Sequence, residues 1–211
     1  MRWLTAAIAA GLGIMSSTAS ANQLTNPGFE TDNASAGDVA GASGWGQFNF
    51  AFTTKSVTPH SGTQELKVFG PFFIGGGSGV TQAVPASPGQ SFSASAWLRD
   101  DSSDPMLGSN FAQVQLQYLD SSNNVIVTDS SPNFTALDPI NTWEKESASG
   151  IAPAGTAKAQ IVLVHVQINN PVTGGSVFFD DASLDLVPEP GSLALLGIGG
   201  LLAARRRVRS A

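Results

Sequence analysis

Residues 91–99 alternate without a break: Phe92, Ala94, Ala96 and Leu98 fall on one face, Ser93, Ser95, Trp97 and Arg99 on the other. A period of two marks a strand with one buried side, and it recurs along the chain. Phe48, Phe50 and Phe52 alternate with Asn49 and Ala51; Leu66 and Val68 share one side of 64–69. Val114, Leu116 and Tyr118 alternate with Gln113, Gln115 and Gln117, so a second polar face is lined by glutamine. Short strands are expected at 80–84 and 125–128, and another begins at Trp143. Over 158–168, Val162, Val164, Val166 and Ile168 lie on one side and Ile161, Leu163, His165 and Gln167 on the other, so the middle is buried on both faces. In the last strand, 177–186, Phe178, Asp180, Ala182 and Leu184 share a face.

Turn signals separate these runs: Asn26-Pro27-Gly28, Pro59-His60-Ser61-Gly62, the Pro-rich stretch 85–89 and Asn123-Asn124. Residues 33–44 form a Ser/Gly/Ala-rich loop, 100–109 a polar loop with three aspartates, and 129–141 a long irregular connection. The glycine-rich stretch 71–79 lacks the Gly-Lys-Ser/Thr of a phosphate-cradling loop and is read as a flexible connection. Trp45 and Trp143 are read as core. Outside the termini no segment has helical periodicity, and no repeat recurs at a fixed period. Many short strands between Gly, Pro and Asn turns give an all-β fold, an antiparallel β-sandwich or jelly roll.

The two ends follow other rules. Residues 1–21 carry Arg2, an apolar stretch and Ala19-Ser20-Ala21, the layout of a signal peptide with its helix and cleavage site. Export through the Sec machinery is expected, with the mature chain beginning at Asn22. At the other end Pro188-Glu189-Pro190 is followed by an uncharged apolar run over 193–204 and then by Arg205, Arg206, Arg207 and Arg209. Prolines interrupt the preceding strand, the apolar run is a short hydrophobic helix for the inner membrane, and arginines stay on the cytoplasmic side. This order resembles the PEP-CTERM sorting signal of exopolysaccharide-making Gram-negative bacteria. The resemblance implies an exosortase, an integral-membrane partner that recognises the Pro-Glu-Pro and cleaves near it. A plain anchor is the alternative, although the run is shorter than the roughly 20 residues of a stable span. The organisation is then 1–21 signal peptide, 22–186 folded domain and 187–211 sorting segment, giving an exported protein held transiently at the inner membrane before reaching the cell surface or matrix.

Charge narrows the function. Within 22–186 only Lys55, Lys67, Arg99, Lys145 and Lys158 oppose fifteen carboxylates. A domain so acidic repels phosphate backbones, so nucleic acid is no partner. The chain has no cysteine, which removes disulfides, thiolate nucleophiles and Cys-ligated zinc.

The domain itself carries a second resemblance. Asn26-Pro-Gly-Phe-Glu30, Trp45, the blocks 60–68 and 88–97, Thr142-Trp143 and Phe179-Asp180-Asp181-Ala-Ser-Leu184 stand in the order seen in CenC-type carbohydrate-binding modules. This likeness implies a galactose-binding-like jelly roll with a structural calcium and a concave sheet that grips glycans. Carried across, it places the metal at Glu30 and Asp180, with turn carbonyls at Ser61 and Gly62, oxygen ligands of the kind calcium takes. Asp180, in register with Phe178 and Leu184, is expected to point inward, where an unpaired charge is costly; backbone N–H groups or Lys67 could serve it instead of calcium. Asp181, on the opposite face, is the poorer ligand. For glycan binding the candidates are Trp97, Arg99, Gln113, Gln115, Gln117, His165 and Gln167, since an aromatic face packs on sugar C–H groups while amides and guanidinium meet hydroxyls. The alternative is a solvated face with Trp97 covered by a loop such as 71–79.

Catalysis is not expected. Glu144 and Glu146 share a strand face about 7 Å apart and read as an exposed edge row. His60 and His165 lack a Gly-x-Ser-x-Gly elbow or a third zinc ligand. The sequence therefore points to a non-catalytic polysaccharide-binding protein, with a structural surface or matrix protein using the jelly roll for protein contacts as the alternative.

Overall fold

The computed structural model describes residues 21–34, 38–55, 58–168 and 174–188. Residues 1–20 of the signal peptide and almost all of the sorting segment, including Glu189, Pro190, Arg205, Arg206 and Arg207, lie outside the described residues, as do their expected helices. No helix among the described residues is long and apolar enough to cross a membrane.

Twelve strands are seen among the described residues: β1 Val39–Ala40, β2 Gly46–Phe48, β3 Ala51–Lys55, β4 Gln64–Phe69, β5 Gly76–Pro85, β6 Ser91–Asp100, β7 Phe111–Leu119, β8 Val125–Ser130, β9 Phe134–Thr135, β10 Glu144–Ile151, β11 Lys158–Gln167 and β12 Ser176–Val187. They form two antiparallel sheets. The first has the order β1-β3-β4-β12-β6-β10; the second runs β2-β5-β11-β7-β8, with β9 on β7. Chain-consecutive strands such as β4, β5, β6 and β7 cross between the sheets, so each covers the other's apolar face. The alternation dictates which side goes in: Phe92, Ala94, Ala96 and Leu98 meet Val114, Leu116, Tyr118, Ile161 and Leu163 in one core. That core spans Leu24 to Leu184, so the domain has a complete interior of its own and is built to fold alone.

Three local readings change. The run 48–52 is not one strand: Asn49, at φ 53°, turns the chain between β2 in one sheet and β3 in the other. Residues 76–79, three glycines and Ser78, begin β5 instead of extending the loop, because β11 supplies their partners from Gln167↔Gly76 to Val164↔Gly79. The register of β12 slips between Asp180 and Ser183, with Asp181 at φ 45°. This bulge inverts parity. Phe179, Ala182 and Leu184 are core, whereas Asp180 pairs with Trp97 and Phe178 with Arg99 on the outer side. Asp180 therefore does not share a face with Leu184.

Candidate functional site

Outward of the first sheet, the Pro59–Gly62 turn lies over β6. His60 stacks on Trp97 with centroids 4.0 Å apart and planes 17° from parallel, and meets Trp143 edge-on at 5.8 Å. Trp143 donates its indole N–H to Thr58 O. It is half-buried outside the core, unlike Trp45, which packs on Phe29 and donates to Asn26 O. Arg99 sits over both Trp143 and Phe178, paired with Glu65 at 3.3 Å and Asp101 at 2.8 Å, and is only 4% exposed. Trp97 and Arg99 are thus engaged by their own protein. The covering loop is 58–62, not 71–79.

The same turn gathers the metal candidates. Asp180 is fully buried; its carboxylate accepts Ser61 N at 3.0 Å and Asp181 N at 2.8 Å. Burial nevertheless pushes its carboxyl up to about 7. Lys67 instead pairs with Asp104. The bulge brings Asp181 back to this turn, where it pairs with His60 Nδ1 at 2.6 Å and accepts Ser61 Oγ–H at 2.8 Å. Glu30 closes on the turn from the other side, accepting Thr63 N and Gln64 N, each at 2.8 Å, and Thr63 Oγ1 at 2.9 Å. Only glycine fits at 62, where φ is +63° and a Cβ would lie 2.2 Å from Glu30 Oε1. Gly28 opens the space between them: its Cβ position is 3.4 Å from Asp181 Oδ1, 3.8 Å from Asp180 Oδ1 and 3.9 Å from Glu30 Cγ. The donors are hard oxygens around a buried carboxylate, which suits calcium chemically. As placed, however, no three acidic or imidazole groups among the described residues converge as a cage.

The outward face of the second sheet is different. Gln113, Gln115 and Gln117 project from β7, joined by Gln160, which stands opposite Gln117 on β11. Their amides form a chain: Gln160 donates to Gln117 at 3.1 Å, Gln117 to Gln115 at 3.3 Å, Gln115 to Gln113 at 3.2 Å, and Gln113 to Asn133 at 2.7 Å and Ser131 O at 3.2 Å. Beside this row lie Val162 and Val164, opposite Gln115 and Gln113, outward of the core yet only 5% and 6% exposed. On their other side Phe48 lies over Gly77 and Gly79, 3.9 Å and 3.0 Å from where their Cβ atoms would be. The result is an apolar floor between an aromatic ring and a wall of amides. No carboxylate projects from β5, β7 or β11 on this face, and Lys158 at its end is bound to Asn123 Oδ1 at 2.7 Å.

His165 and Gln167 are not on that face. They share the inward row of Ile161 and Leu163 and are fully buried. His165 Nδ1 lies 3.4 Å from Val68 O, Nε2 has no partner among the described residues, and burial holds its imidazole down at about 4. Gln167 staples the 70–75 loop, accepting Phe72 N through Oε1 and Gly75 N through its main-chain oxygen, each at 2.8 Å. The seven glycan candidates thus divide three ways: Trp97 and Arg99 outside one sheet, the three β7 glutamines outside the other, and His165 and Gln167 between them. Phe48, Gln160, Val162 and Val164 were absent from the sequence-derived set. Gln160 was legible in its alternation with Ile161 and Leu163, as was the inward direction of His165.

Glu144 and Glu146 lie on β10, the edge strand of the first sheet. Burial raises Glu146, with repulsion from Asp138 and Glu144 adding to it.

The two-sheet arrangement defines a β-sandwich of the kind used by carbohydrate-binding modules. A family 61 module, TmCBM61, in complex with β-1,4-galactotriose superposes with TM-score 0.50 at 18% identity, covering 79% of this chain and 99% of that one. A family 22 xylan-binding domain gives TM-score 0.52 at 18% identity, covering 79% and 96%. The arabinose-bound MgGH51 α-L-arabinofuranosidase gives 0.57 at 15% identity over 80% of this chain, which spans only 27% of that enzyme. No curated protein sequence matches the chain. Residues 186–209 match the PEP-CTERM protein-sorting motif, which marks the chain for export and membrane anchoring.

Proposed function

We propose that the protein is an exported, non-catalytic glycan-binding module whose ligand lies in the trough outside β5, β11 and β7. The amide chain from Gln160 to Asn133 beside the Val162–Val164 floor carries this reading. Apolar floor and Phe48 suit the C–H faces of a sugar, and Gln115 and Gln117 each keep a second amide N–H for hydroxyls. With Lys158 at its end held by Asn123, no charge on the Gln160–Asn133 row itself and fifteen carboxylates in the domain, the ligand is an uncharged polysaccharide. On this reading the module leaves through the Sec machinery, resides briefly in the inner membrane, is processed by an exosortase and reaches the cell surface or the exopolysaccharide matrix; the match of residues 186–209 to the sorting motif supports the route. A structural calcium is proposed at Asp180 and the Ser61–Gly62 turn, with Glu30 buttressing that turn.

One observation favours protein contacts as a second role. Phe72, Phe73 and Ile74 protrude from the stapled loop at 46%, 52% and 61% exposure, beside the exposed ring of Phe50 at 5.2 Å.

Affinity electrophoresis of the 22–187 domain through gels holding xylan, galactan or glucan tests the reading. Retardation in one gel that is lost in Gln115→Ala and Gln117→Ala, and kept in Trp97→Ala, supports it. Unretarded migration in every gel overturns it, as does loss confined to Trp97→Ala.

A further inference from the structure

Among the described residues the two sheets have five edge strands, and four of them are blunted against further pairing. β1, β2 and β9 have two, three and two residues. β10 carries Glu144, Lys145 and Glu146 along its edge, and charge is a standard block to edge-to-edge association. β8 is six residues long and carries a single charge, Asp129. Val125, Ile126 and Val127 are 52%, 40% and 39% exposed, and no strand lies beyond β8 among the described residues. Its one charge is withdrawn: Asp129 Oδ2 lies 2.1 Å from where a Cβ on Gly150 would be, so its carboxylate occupies the glycine's vacant side on β10. The register slip opposite Tyr118 and Leu119 confines irregularity to the start of β8, leaving 127–130 regular.

We infer that the free edge of β8 is a self-association surface, at which residues 127–130 pair antiparallel with the same strand of a second copy. Antiparallel pairing of a strand with itself is two-fold symmetric and closes on a dimer. The alternate main-chain N–H and C=O groups that face away from β7 become paired. Electrostatics selects the same place. Two domains with fifteen carboxylates against five basic groups repel over most of their surfaces, and this edge, whose one carboxylate is turned toward Gly150 on β10, lets them approach. Thr128 and Ser130 stand opposite Gln117 and Gln115, so the pairing joins two glutamine faces into one sheet of at least ten strands. The dimer stands independently of glycan binding; the gain in avidity from two troughs on one sheet rests on the proposed function.

Sedimentation equilibrium of the 22–187 domain, without any glycan, decides between the states. A concentration-dependent dimer is expected, with amide exchange slowed along 127–130 as concentration rises. Val127→Lys and Thr128→Lys, both at exposed positions, place like charges about the two-fold axis and should leave monomer with an unchanged circular dichroism spectrum. A monomer at every concentration overturns the proposal. So does a dimer that survives both substitutions, which would lie on another surface such as the Phe72–Ile74 tip.

Discussion

The imidazole of His60 covers one face of the Trp97 indole at 4.0 Å while its Nδ1 is held by Asp181 at 2.6 Å. A carboxylate, an imidazole and an indole thus form one stack that fastens the 58–62 turn to β6. His60→Ala is expected to uncover Trp97, shifting its fluorescence to longer wavelength. Trp97→Ala should cost about 1–3 kcal/mol, less than for a fully buried tryptophan. Chemical denaturation checks both, and a Trp97→Ala domain as stable as the parent would show the stack to be ornamental.

His165 gives the domain an acid-sensitive interior. Its imidazole titrates near 4 in the fold, because of burial, against about 6.5 unfolded. The unfolded chain binds the extra proton, so the stabilisation is complete above pH 6.5 and is lost as pH falls toward 4. The loss is on the order of 3 kcal/mol. Asp180, raised by burial to about 7, pulls the other way, since its fold favours the protonated acid as pH falls. His165→Leu isolates the first effect: the difference in urea midpoint between variant and parent should change between pH 7 and pH 4.5, and a constant difference would count against it.

Calcium, if held at Asp180, stabilises the fold by mass action. Calorimetry should then show a higher Tm with millimolar calcium than with a chelator for the parent, and no such rise for Asp180→Asn. Equal responses would remove the metal from this turn.

Much of the architecture was legible because one-sided burial writes a period of two into each strand. β4, β6, β7 and β11 follow from their alternation almost to the residue. What escaped was set by tertiary partners. The slip at Asp181 has no local signature, so the parity of Asp180 was read as if β12 were regular. Gly76, Gly77 and Gly79 look like a loop until β11 pairs with them, where Leu163 O and Val164 Cγ2 come too close to Gly79 and Gly77 for a Cβ. Which strand neighbours which decided the site: Trp97 and the β7 glutamines both look outward, but from opposite sheets. A polar residue on an apolar row, as His165 and Gln167 are beside Ile161 and Leu163, belonged to the interior by its neighbours' evidence.

The amide chain outside β7 also has a sense. From Gln160 through Gln117 and Gln115 to Gln113 and Asn133, each side chain gives its hydrogen to the next in the same order, so the group dipoles add along the strand instead of cancelling. A polysaccharide is likewise a vector, with a reducing and a non-reducing end. On the proposed reading, a glycan lying along this row meets a different pattern of donors and acceptors in each of its two orientations, so the trough would distinguish head from tail without contacting either terminus.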